Sequence, residues 1–188
     1  MNRQCGDCQL CCKLVPVKEG FVVNNTQHLP TFVKPAGCRC PHQKHGVGCA
    51  IYERRPMSCR LWTCAWLVGT ALRRPDRSHY VVDMMPDYVA VDPGEGQPWV
   101  ELPALQVWID PRYPEAHRDP ELRELIDNSK MVGLIRFSET DAMSIFPPSM
   151  TGNGWIERER MNCRLPQKSS AELARMFGGE NERTTTNR

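Results

Sequence analysis

Nine of the ten cysteines in this 188-residue chain fall between Cys5 and Cys64, and only Cys163 stands apart. Thiols at that density are paired as disulfides, packed as small apolar side chains, or bound to metal. Inert thiols scatter through a core, and these do not scatter. Disulfides need an oxidising compartment. Cys5 arrives before any apolar leader could begin, so the chain reads as cytoplasmic, with its thiols reduced. The longest apolar run, Leu61 to Leu72, is too short to span a bilayer, and no membrane association is expected. Metal ligation is the expectation that remains.

The hydrophobic share of 40% and charged share of 24% are those of a globular chain, long enough for one domain or for a small module joined to a second part. Its texture changes along its length. Residues 1–67 are rich in Cys, Gly, Pro and basic side chains with little periodicity, as in a loop-rich module where metal replaces a large core. From His79 onward, short apolar runs alternate with turn residues. The fold class expected is therefore α+β. A small irregular metal-stabilised cysteine-cluster module (1–67) packs on a small mixed α/β part (79–165), and a polar tail (178–188) with nothing to bury is disordered.

Two short helices are expected in the first part, around Cys8 to Leu14 and around Ile51 to Leu67, the second interrupted by Pro56. Val68 to Arg77 reads as a turn. Tyr80 to Met84, Tyr88 to Val91 and Ala104 to Ile109 read as strands. Asp119 is an N-cap with Pro120 at the first helical position, for a helix running to about Met131 and ending at Gly133. Val132 to Phe137 and Ala142 to Phe146 follow as strands joined by a turn.

Charge is unevenly placed. Residues 1–80 hold 12 Lys/Arg against 4 Asp/Glu, whereas 81–188 hold 12 against 18. A basic half invites a nucleic-acid reading. Compensation is the favoured one, because metal-bound cysteines are thiolates and the basic residues are interspersed with them.

The first cysteine block is Cys5-x2-Cys8-x2-Cys11-Cys12. A two-residue gap turns both thiolates toward one metal, in zinc and iron–sulfur sites alike. A lone C-x-x-C is equally a redox pair; three in register with a fourth adjacent point to metal. Cys11 and Cys12 are neighbours whose side chains ordinarily diverge, so a second metal or a bridging role is expected for one of them. The second block is Cys38-x-Cys40-Pro41-His42-x2-His45-x3-Cys49, followed by Cys59 and Cys64. Three cysteines spaced by twos plus a remote Cys-Pro echo a [4Fe–4S] site built from Cys5, Cys8, Cys11 and Cys40; one or two zinc sites are the alternative. Cys59 and Cys64 are expected near one helical face, with Tyr52, Trp62 and Trp66 packed around them. Cys163 is expected to be a free thiol.

The run Cys5-Gly-Asp-Cys8-Gln-Leu-Cys11-Cys12, with Lys34-Pro-Ala-Gly, Cys40-Pro-His, Gly48-Cys49-Ala-Ile-Tyr-Glu-Arg-Arg-Pro-Met-Ser-Cys59-Arg and Cys64-Ala-Trp, resembles the CxxCxxCC (YkgJ-like) cysteine-cluster family. The resemblance covers about residues 5–67. It implies a zinc- or iron-chelating domain with Cys5, Cys8, Cys11, Cys12, Cys40, Cys49, Cys59 and Cys64 as ligands. Where relatives carry a cysteine after Cys-Pro-His this chain has Gln43, and Cys38 is an additional thiol nearby. A related cluster occurs in flagellin lysine methylases, but no glycine-rich strand–turn–helix for a methyl donor is present here, so that activity is not carried over. The function expected is metal binding. The rival is an Fe–S oxidoreductase or cluster-dependent modification enzyme; no catalytic constellation is visible, and the acidic residues Asp83, Asp87, Asp92 and Glu101 read as surface.

Overall fold

The computed structural model describes residues 3–17, 33–85, 87–92 and 98–162. Cys163 and the tail at 178–188 lie outside the described residues.

A six-stranded mixed sheet organises the chain. Its strands are β3 (Tyr80–Val82), β4 (Asp87–Val91), β5 (Val100–Ile109), β6 (Val132–Arg136), β7 (Asp141–Phe146) and β8 (Ile156–Asn162). The order is β3-β5-β6-β7-β8, with β4 also paired to β5. Only β5 and β6 run parallel, and the crossover between them contains helix α4 (Pro120–Ser129). Asp119 caps α4, its side chain accepting from the Glu121 N–H, as the sequence predicts. Lys130 adopts a left-handed conformation and closes the helix before Gly133. Gly133 lies instead in β6, where a Cβ would stand 2.5 Å from Ile145.

Strand periodicity sorts the sheet's side chains into two faces. One face buries Tyr80, Val82, Val107, Ile109, Ile135 and Ile145 against Leu122 and Ile126 of α4. On the other, Val81 and Trp108 pack with Leu10, Leu14 and Cys64 of the cysteine-rich part. That part contributes helices α1 (Leu10–Leu14) and α2 (Met57–Leu61), a two-stranded ribbon of β1 (Gln43–Lys44) and β2 (Gly48–Cys49), and a 3-10 turn at Tyr52–Arg54, and the connection to β3 ends in one helical turn, α3 (Pro75–Ser78). One further helical turn, α5 (Pro148–Thr151), follows β7.

β3 and β4 are two segments of one partner to β5. Four residues lie between Val82 and Asp87, against two between their partners Val107 and Ala104, so the chain bulges out of the ladder after Asp83, whose N–H still donates to the Gln106 carbonyl at 2.8 Å. The Cys64 segment pairs with that bulge: Cys64 bridges Asp83, and Ala65 N–H donates to the Val82 carbonyl at 3.0 Å. Among the described residues no helix is long and apolar enough to cross a membrane.

Candidate metal centre

Seven of the eight expected ligands line one cavity of about 430 Å³: Cys5, Cys8, Cys11, Cys12, Cys40, Cys49 and Cys59. Cys64 is buried and does not line the cavity, but it lies close enough to feel the charge of Cys5. Cys38 is exposed and does not line the cavity. All nine described cysteines are free thiols. Of the two histidines in the second cysteine block, His42 lines the cavity and His45 does not.

Backbone contacts gather these sulfurs. Cys5 and Cys8 close a turn in which Cys8 N–H donates to the Cys5 carbonyl at 3.0 Å. Gly6, at the tip of that turn, lies so near Gly48 that a Cβ on Gly48 would stand 2.5 Å from the Gly6 carbonyl oxygen. This approach brings Cys49 beside the first block. Cys11 and Cys12 ride on α1, and Cys40 N–H donates to the Cys12 carbonyl at 3.0 Å. Leu10 and Leu14 pin α1 to Val81 and Trp108, while Lys13 reaches the buried carboxylate of Asp110 at 3.0 Å, just after β5. α2 stops at Leu61, Trp62 is extended, and Cys64 sits in the bridge to Asp83. Cys59 and Cys64 therefore do not share the helical face the sequence suggests; the sheet edge takes Cys64.

The adjacent pair does not diverge. The Cys11 thiol lies in hydrogen-bond contact with both Cys12 and Cys5, which raises Cys11 well above an ordinary thiol and lowers Cys12. The same contact brings Cys5 down to about 7. Burial pushes Cys8 up to about 11 and also raises Cys40, Cys59 and Cys64. Packed thiols of this kind resist ionising together, and a bound cation reverses that balance.

The charge contacts fall into two overlapping groups, joined through Cys11 and through Cys12, which also feels Cys5. Cys8, Cys11 and Cys64 each act on or feel Cys5, whereas Cys40 and Cys59 feel Cys12 and Cys49. Two positive charges accompany the thiols of both groups. Lys34 is only 3% exposed, its ammonium donates to the carbonyls of Lys13, Pro35 and Cys38, and it feels Cys40 and Cys12. Arg55 lies over the Tyr52 ring at 3.7 Å and lowers Cys5 and Cys12. Among the described residues no three His, Cys, Asp or Glu side chains converge as a finished metal cage. The donor chemistry nonetheless fits a thiophilic metal, since the thiols are numerous, desolvated and accompanied by compensating cations.

The remaining wall comes from the sheet. Asp83, Gln106, Trp108 and Arg136 line the same cavity, with Trp62 and Glu139. Asp83 is buried, not on the surface as its loop-like surroundings suggest, and burial raises its carboxyl. Comparison of the chain with family models, curated proteins and solved structures returns no match.

Proposed function

We propose that this chain is a metal-binding protein whose N-terminal half chelates zinc or iron through clustered thiolates, in a reducing, cytoplasmic setting. The observation that carries the reading is the gathering of Cys5, Cys8, Cys11, Cys12, Cys40, Cys49 and Cys59 around one cavity, with the buried Cys64 near enough to feel the charge of Cys5. Eight thiols suit two four-sulfur sites better than one. Their contacts favour Cys5, Cys8, Cys11 and Cys64 for the first, and Cys12, Cys40, Cys49 and Cys59 for the second, with Cys11 touching both groups. This differs from the ferredoxin-like grouping, in which Cys40 joins Cys5, Cys8 and Cys11.

A thiolate-bound metal supplies folding free energy to a part with a limited apolar core, and as an iron–sulfur centre it would also supply one-electron chemistry. Lys34 and Arg55 offset the thiolate charge. The test is metal stoichiometry in single Cys→Ser variants of the full chain. Cys12→Ser and Cys59→Ser each lose metal from the same site, Cys8→Ser and Cys64→Ser from the other, and Cys38→Ser loses none. Equal stoichiometry in Cys38→Ser and Cys12→Ser would refute the assignment.

A further inference from the structure

The sheet wall of the cavity is built differently from the cysteine wall. Trp108 is 6% exposed and its indole N–H is buried without a hydrogen-bond partner among the described residues. Arg136 is 1% exposed and lies beside Trp108 in the parallel register of β5 and β6, its guanidinium carbon 5.4 Å from the indole ring. One guanidinium nitrogen stands 4.0 Å from the Asp87 carboxylate, which also accepts from Gln106. A buried indole N–H without an acceptor is costly unless something that enters the cavity supplies one.

The missing group is an acceptor. A doubly charged anion would meet Asp83, Asp87 and Glu139 nearby, whereas a planar monoanion matches both the guanidinium fork and the indole N–H. Around these polar groups the cavity is apolar, with Val15, Val17, Leu61 and Leu67 in its wall. Few polar groups in an apolar concavity of this volume are the marks of a small-molecule site.

We propose that the sheet wall binds a small carboxylic acid with an apolar body, the carboxylate held by Arg136 and the Trp108 indole N–H. The site uses side chains of β5 and β6 that are not metal ligands, so it stands apart from the thiolate reading, although both share one cavity.

The probe is benzoate, with benzamide as its neutral isostere, titrated calorimetrically into the full-length protein as purified. Metal content is measured on the same sample. Benzoate is expected to bind saturably and at least about tenfold tighter than benzamide, the difference one charge-assisted contact makes. Trp108→Phe keeps the ring and removes the N–H; it should weaken benzoate several-fold and leave benzamide unchanged. Arg136→Gln should abolish the preference for benzoate, and its melting curve shows whether it folds; should it not fold, Trp108→Phe decides. A carboxylate that ligated the metal would bind Trp108→Phe as tightly as the parent, which overturns the proposal. So does equal affinity for the two probes, or no benzoate binding at ~10 mM, as when an ordered water satisfies Trp108. Loss of metal with benzoate binding intact would refute the thiolate reading alone.

Discussion

Replacing Gly48 by alanine tests whether the approach of the two cysteine blocks holds the centre together. Gly48 has φ +122°, a conformation that L side chains rarely adopt, which costs about 1–3 kcal/mol in a residue with a Cβ. The added carbon would also stand 2.5 Å from the Gly6 carbonyl oxygen. That obstacle is backbone, so no rotamer change relieves it, and moving the Cys5–Cys8 turn aside adds about 1–3 kcal/mol. The total is about 4 kcal/mol. Gly46 is the control, in the same β1–β2 ribbon with φ +69° and nothing within 4 Å of its built Cβ. Gly46→Ala carries only left-handed strain of about 1–2 kcal/mol. Urea unfolding of the metal-loaded protein, followed by tryptophan fluorescence, should place Gly48→Ala at least about 2 kcal/mol below Gly46→Ala. In a chain of this size that separates their Tm values by about 4–8 °C. Gly48→Ala should also release metal at lower chelator concentration. Equal stability of the two variants would show that the Gly6–Gly48 approach does not organise the centre.

Lys34→Met keeps the length of the side chain but strips three carbonyls of their donor and the thiolates of a buried cation; a loss of about 3–5 kcal/mol and weaker metal retention are expected by urea unfolding and competition with a chelator. Burial alone would raise Asp110, but hydrogen bonds from Arg112 and Lys13 outweigh it and hold the carboxyl well below the usual range. Its contribution is thus complete above about pH 4, the unfolded value, and fades as pH falls toward its folded value. Asp110→Asn should therefore be less stable than the parent at pH 7, the gap narrowing below pH ~4 in acid melts; a constant gap would contradict this. Ile126→Ala empties a fully buried site between α4 and the sheet, and about 2–5 kcal/mol of destabilisation is expected with metal stoichiometry unchanged.

The cysteine centre was legible because its signal is local. Spacing pointed to thiol clustering, the family resemblance supplied the set of eight and left Cys38 and Cys40 the least secure, and seven of the eight line one cavity. What spacing did not reveal was the sharing of Cys11 between two groups, since that depends on how one helical turn sits against the rest. Strand β8 escaped notice because its Ile-Glu-Arg-Glu-Arg-Met-Asn run is too polar to read as a strand. The first half of β5 was hidden by Pro103, which lies where β5 pairs with β4 alone, just before its register with β6 begins at Ala104. Asp83 read as surface because carboxylates in loop-rich surroundings usually solvate one, whereas here it is buried and bridged to the Cys64 segment. Trp108 and Arg136 are 28 residues apart and meet through the parallel register of β5 and β6, which no local pattern encodes. Lys34 belongs to the quoted motif, yet its role follows from three carbonyls that converge on it in space.

The central claim is tested most directly by elemental and acid-labile sulfide analysis of the anaerobically purified chain, coupled to thiol titration before and after unfolding. The account predicts bound zinc, or iron with sulfide. It also predicts that Cys38 alone among the nine described cysteines reacts readily, the other eight becoming reactive only on unfolding or metal removal. A metal-free protein whose described thiols all react at once in the native state would contradict it.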